Sequence, residues 1–122
     1  MIILVAEDYD DTRSLMKMLL QSKGHRVVEA ANGQEAVELA TRGRPDLILM
    51  DLNMPVMDGI VATRTLRASP EMSGVPIVAV TAHCGDGEWE RKARAAGCDD
   101  CVAKPVNFDL LDGVLARFLP RN

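Results

Sequence analysis

At 122 residues with a formal net charge of -4, the chain is sized for one domain that can bury a core without disulfides or a structural metal. Its hydrophobic content of 48% and charged content of 26% are those of an ordinary globular protein, and the acidic balance argues against nucleic acid as main partner, since that needs a basic face to displace counterions. No apolar run approaches the length that spans a bilayer, the first residues read as a strand rather than a signal peptide, and three cysteines without framework spacing fit a reducing cytosol.

Short apolar runs alternate with segments of helical period. The run Ile2–Ala6 predicts a first strand, followed by a helix over about residues 11–22. That helix has an Asp at its start as N-cap, Leu15, Met18 and Leu19 as its core face, and Gly24 as its stop. A second strand at Arg26–Ala30 leads to a helix over residues 34–42, ended by Gly43 and Pro45. The third strand, residues 47–50, leads to a helix over 59–68 that stops before Pro70. The fourth, residues 76–80, leads to a helix at Gly87–Ala96, ended by Gly97. Its apolar stripe is thin, Trp89, Ala93 and Ala96, so it is expected to be the least anchored element. A last short strand at 101–103 precedes a helix over 107–119, where Phe108, Leu111, Leu115 and Phe118 recur at helical spacing. Aromatic residues are few, so Leu, Ile, Val, Met and Ala must build the core.

Five βα units without a linker imply an α/β fold, a parallel sheet covered on both faces and joined by right-handed crossovers. At this length the flavodoxin-like, doubly wound strand order 2-1-3-4-5 is the natural choice. Ligands in such sheets bind beyond the carboxyl ends of the strands, where strand order reverses, here between the first and third strands. The residues that close each apolar run are therefore informative. The first run ends in Glu7 and Asp8, the third in Asp51, the fourth in Thr81 and the fifth in Lys104. With strands about 4.8 Å apart, Asp8 and Thr81 flank Asp51, and Lys104 starts roughly 10 Å from it, a gap its long side chain can largely close.

Carboxylates crowded on one rim raise one another's pKa unless a cation compensates them. Few carboxylates plus water is the pattern Mg²⁺ favours, and the carbonyl of Asn53 could complete its shell. A carboxylate beside Mg²⁺ and Lys is placed to attack phosphorus, with Thr81 bonding a phosphoryl oxygen. The neighbouring Asp10 and Asp11 read instead as a solvated acidic start to the first helix. Gly59 reads as backbone geometry, and Met54 and Met57 as either partner contacts or gap-fillers.

The segments Val5-Ala6-Glu7-Asp8, Met50-Asp51-Leu52-Asn53-Met54-Pro55-Val56-Met57-Asp58-Gly59, Val80-Thr81-Ala82-His83 and Ala103-Lys104-Pro105 resemble the receiver domains of two-component response regulators, in order and spacing over the whole chain. The resemblance implies that Asp51 is the phospho-acceptor, that Asp8 binds the metal directly and Glu7 indirectly, that Lys104 pairs the phosphate, and that the Lys104–Pro105 bond is cis. It implies a phosphohistidine donor on a histidine kinase or histidine phosphotransfer protein, docking near the first helix and the loop after Lys104, and an unidentified downstream protein target. One position departs from the pattern: receivers usually carry Tyr or Phe three residues before the lysine, where this chain has Cys101.

The remaining readings rest on thinner signals. Cys98 and Cys101 form a single C-x-x-C, but zinc sites usually take two such knuckles, and this pair follows a helix rather than opening one. It reads as small, half-buried side chains. An aspartate-nucleophile phosphatase of the haloacid dehalogenase type would want a second Asp where this chain has Asn53, and a pseudo-receiver that binds partners without phosphorylation has only Cys101 in its favour. The chain starts at its first strand and ends two residues past Pro120, as expected of a single receiver over residues 1–122, stand-alone or cut from a longer regulator or hybrid kinase.

Overall fold

The computed structural model describes residues 1–119. Its elements are β1 (Ile2–Ala6), α1 (Asp10–Ser22), β2 (Arg26–Ala30), α2 (Gly33–Gly43), β3 (Leu47–Asp51), α3 (Gly59–Arg67), a 3₁₀ turn at Pro70–Met72, β4 (Ile77–Thr81), α4 (Gly87–Ala96), β5 (Asp100–Ala103) and α5 (Phe108–Phe118). All strand pairs are parallel and the order is β2-β1-β3-β4-β5, the doubly wound arrangement expected from the alternation of runs. Among the described residues no helix is long and apolar enough to cross a membrane.

The uninterrupted apolar runs are explained by burial on both sides of the sheet. Leu4, Ala6, Ile48, Met50, Ile77 and Ala79 face α2, α3 and α4, while Ile3, Val5, Leu47, Leu49, Val78 and Val80 face α1 and α5. Successive residues point to opposite faces, so a run of five apolar residues serves two cores at once. The third and fourth strands each extend one residue further than their apolar runs, to Asp51 and Thr81, because pairing continues after hydrophobicity stops.

Several local expectations are corrected. In α1 the fully buried side chains are Met16 and Leu20; Leu15 is 46% and Met18 66% exposed. Residues 15–20 carry only one polar side chain, Lys17, so either face satisfies a helical period, and contact with the sheet decides between them. No Asp caps this helix: the N-cap is Tyr9, without a side-chain bond, and Asp10 and Asp11 occupy the first turn, where the helix dipole favours them. The left-handed residue that ends α2 is Arg44 (φ 44°), not Gly43. In α5, Leu111 and Leu115 are core as expected, but Phe108 is 44% exposed at the helix start.

Arg67, at the end of α3, ties the far side of the sheet together. Its guanidinium donates to the carbonyls of Gly97 (2.9 Å), Met72 (3.0 Å), Ser73 (3.1 Å) and Val75 (2.7 Å), and pairs with Asp99 at 2.8 Å. Asp99 in turn accepts the Ile77 N–H at the start of β4. A Cβ on Gly97 (φ 119°) would lie 2.4 Å from the Arg67 chain, so the crossing requires glycine there. Arg67→Ala strands several carbonyls at once and should lower stability by about 2–4 kcal/mol in urea unfolding, and Arg67→Lys should recover less than half of it, because one ammonium cannot reproduce the planar fork.

Candidate functional site

The carboxyl edge of the sheet collects the chemically active side chains. Ala6 pairs with Met50, Asp51 with Val80 and Thr81 with Ala103, so Glu7, Asp51, Thr81 and Lys104 all emerge on one rim. Glu7, Asp8 and Asp51 each present a carboxylate oxygen, and these oxygens lie within 4.8 Å of one another. Glu7 is 1% and Asp51 2% exposed, whereas Asp8 is exposed, so the cluster opens to solvent on the Asp8 side.

Lys104 reaches across from the end of β5 and places Nζ 2.9 Å from Glu7 Oε1 and 2.9 Å from Asp51 Oδ2. Both contacts compensate charge, yet neither has the angles of a directed hydrogen bond, and these two oxygens remain buried acceptors without one. Burial is the main force raising the Glu7 pKa, the Asp51 neighbour adds to it, and Lys104 opposes it. For Lys104, burial alone would lower the pKa, but Glu7 and Asp51 together outweigh it and hold the ammonium above the ordinary lysine value. Clustered oxygen donors with spare lone pairs, one of them open to water, are a donor set suited to a hard divalent cation.

Neighbouring backbone fixes this arrangement. Asp51 Oδ1 accepts the Asn53 N–H at 3.0 Å, and the Gly59 N–H bonds the Leu52 carbonyl at 3.1 Å. A Cβ on Gly59 would fall 2.1 Å from the Asp51 carbonyl oxygen, so the first turn of α3 rests directly on the end of β3. Arg13, one turn into α1, donates to the Glu7 carbonyl at 2.8 Å and pairs with Asp10 at 2.6 Å. Thr81 is 5% exposed, and its Oγ1 accepts the His83 N–H at 3.2 Å at the head of the turn leading to α4. In the loop after Asp51 the Met57 N–H bonds the Pro55 carbonyl across Val56 (φ 69°), an uncommon conformation for a β-branched residue. Met54 is buried and Met57 half-buried, which makes Met54 core rather than a surface contact.

The structure thus brings together Glu7, Asp8, Asp51 and Lys104 and sets Thr81 on the same rim, while Asn53 meets Asp51 through its N–H. The Lys104–Pro105 bond is cis. The sequence reading missed Arg13; its place one turn into the helix after an acidic pair was the available signal. Cys98 and Cys101 are the small buried and half-buried side chains expected, Cys98 packing on Thr63 with Sγ 3.8 Å from Oγ1. Among the described residues no group of His and Cys converges as a metal site; the one acidic group that does is on the rim.

A doubly wound sheet with an acidic cluster and a lysine at its switch point defines a class of phosphoryl-accepting signalling module. The chain belongs to the response regulator receiver domain family, whose model matches residues 3–116, and is a receiver domain of two-component signalling. It is 35% identical over 105 residues to the polar-differentiation response regulator DivK of Brucella anthropi, covering 86% of this chain and 85% of that protein. It also resembles the receiver domain of a sensor histidine kinase from Pseudomonas aeruginosa PAO1, solved with a magnesium ion coordinated in the active site cleft, with TM-score 0.88 and 40% identity over 96% of this chain and 95% of that one. A chain in the co-crystal structure of a Saccharomyces cerevisiae histidine phosphotransfer protein with the receiver domain of its downstream response regulator matches with TM-score 0.90 and 32% identity, covering 97% of this chain and 88% of that one.

Removing the cation tests the electrostatics. Lys104→Met leaves two buried carboxylates uncompensated and should cost about 2–3 kcal/mol at neutral pH. The Glu7 pKa, already raised by burial and by Asp51, would then lie still further above its unfolded value, so the deficit should shrink as pH falls and Glu7 takes up a proton, as followed by urea unfolding between neutral pH and about pH 4.

Proposed function

We propose that Asp51 accepts a phosphoryl group from a phosphohistidine on a histidine kinase or histidine phosphotransfer protein, with Mg²⁺ held by Asp8, Asp51 and the Asn53 carbonyl and Glu7 acting indirectly. The observation that carries this reading is the buried Asp51 carboxylate lying 2.9 Å from Lys104 within the three-carboxylate cluster. When bound, Mg²⁺ supplies charge neutralisation for the phosphoryl oxygens at the carboxylate rim. The Asp51 carboxylate forms the new O–P bond as the histidine N–P bond breaks, and the electron pair of that bond leaves with the imidazole. Lys104 already carries its proton and needs no reorganisation to pair with the developing anion. The chain thus assists its own phosphorylation, and hydrolysis of the aspartyl phosphate at the same rim reverses it.

The added charge of about -1.5 to -2 then competes for the Thr81 hydroxyl, which in this structure accepts from His83 N–H. Drawing that hydroxyl toward the phosphoryl group loosens the turn before α4, the helix whose fully buried side chains are only Ala93 and Ala96. The domain spans residues 1–122, of which 120–122 lie outside the described residues. Asp51→Asn should take no label from a small phosphodonor with Mg²⁺, and chelation of the metal should suppress labelling of the unaltered chain; undiminished labelling of the variant would end the proposal.

The partner-docking surface is proposed on α1 and the loop after Lys104. The observations favouring it are the solvent-facing Leu15 and Met18, with Tyr9 62% exposed before them and Phe108 just past the loop. Leu15→Glu combined with Met18→Lys should slow transfer from a cognate phosphotransfer protein by about tenfold, roughly 1.4 kcal/mol. Labelling by a small phosphodonor should be unchanged, because neither side chain reaches the acidic rim.

A further inference from the structure

The turn between β1 and α1 carries the exposed Asp8, and its shape is set by contacts that converge on Glu7. The Glu7 N–H donates to the Ala30 carbonyl at 3.0 Å, which fastens the end of β1 to the end of β2. The Glu7 carboxylate turns back on the chain, where Oε2 accepts the Tyr9 N–H at 3.3 Å. The Glu7 carbonyl has a different partner: Arg13 Nη1 donates to it at 2.8 Å. The same guanidinium pairs with Asp10 at 2.6 Å through Nη2 and lies 3.5 Å from Glu29 Oε1 through Nε. Lys17 pairs with the other Glu29 oxygen at 3.1 Å, so that carboxylate is itself held in place. One side chain, only 16% exposed, thus joins the end of β1, the first turn of α1 and β2.

We propose that Arg13 is a positioning residue for the acidic rim: by holding the Glu7 carbonyl it sets the turn from which Asp8 meets the metal ion. The role rests on the reading of Asp8 as a direct Mg²⁺ ligand and deepens it. Among the described residues no hydrogen bond or ion pair holds the exposed Asp8 side chain, so the backbone on either side decides where its carboxylate stands. A turn left loose would lose its freedom only when a cation binds, at the expense of affinity, whereas a turn tied by Arg13 has lost it on folding. Arginine suits the task because its planar fork aims donors at a carbonyl and two carboxylates at once. Its charge is spoken for by Asp10 and Glu29, which leaves geometry rather than repulsion as its influence on an incoming cation. Groups that orient metal ligands in this way typically change metal affinity by about 10–100-fold when removed.

Mg²⁺ titrations of the full chain, followed by amide NMR, separate geometry from charge. Arg13→Met removes both, whereas Arg13→Lys keeps the charge but cannot bond three groups in the same directions, and it carries the test if the methionine variant does not fold. Both should bind Mg²⁺ more weakly, by about tenfold for Met and about threefold for Lys. In the metal-free chain the Tyr9 N–H should exchange with solvent faster in both variants, because the turn it closes is no longer tied at the Glu7 carbonyl. Arg67→Ala, destabilised on the far side of the sheet, should bind Mg²⁺ as the unaltered chain does, which sets the role of Arg13 apart from general stability. Tighter binding by Arg13→Met with unchanged binding by Arg13→Lys would mean that the guanidinium acts only by repelling the cation, and would overturn the proposal. Unchanged affinity in both variants, with the unaltered chain binding Mg²⁺, would overturn this role alone. An unaltered chain that binds no Mg²⁺ would end the metal reading and this role with it.

Discussion

One ammonium held 2.9 Å from each of two carboxylates that are almost wholly withdrawn from water is the interaction around which this molecule is organised. Glu7 and Asp51 come from different strands, and Lys104 supplies the one positive charge that lies against both. The compensation is incomplete: each carboxylate keeps a buried oxygen outside any directed hydrogen bond, and Asp8 stands exposed beside them. A site fully satisfied by its own side chains would have little to offer an incoming cation or phosphoryl group. The sheet supplies the rigidity that makes the deficit tolerable, since β1, β3 and β4 are buried on both faces and cannot shift to relieve it.

Much of this is readable in the amino-acid order alone. Strands buried on both faces announce themselves as unbroken apolar runs, and a charged or hydroxylic residue ending such a run has few reasons to be there other than function. The four strand ends converge because parallel topology leaves them no alternative, and the length of lysine closes the remaining gap. Less legible were features where several arrangements satisfy the same pattern. Residues 15–20 of α1 are apolar but for Lys17, so periodicity could not say which face the sheet would take. Phe108 keeps helical spacing with Leu111 yet overhangs the edge of the sheet, because a helix's first turn extends beyond what it covers.

The cysteines show the same principle from another side. Burial of Cys98 follows from its place after α4, but its partner, Thr63 on α3, stands 35 positions earlier. No local pattern encodes such a meeting.

The way α4 is seated has a mechanical consequence. Its fully buried residues are Ala93 and Ala96, and a surface of methyl groups is nearly smooth on the scale of a side chain. Ridges of leucine or isoleucine would interlock with the neighbouring element and resist sliding, as gear teeth do. Methyls offer no such teeth. Apart from the half-buried Trp89, little on this face of the helix holds it against sliding along its bed.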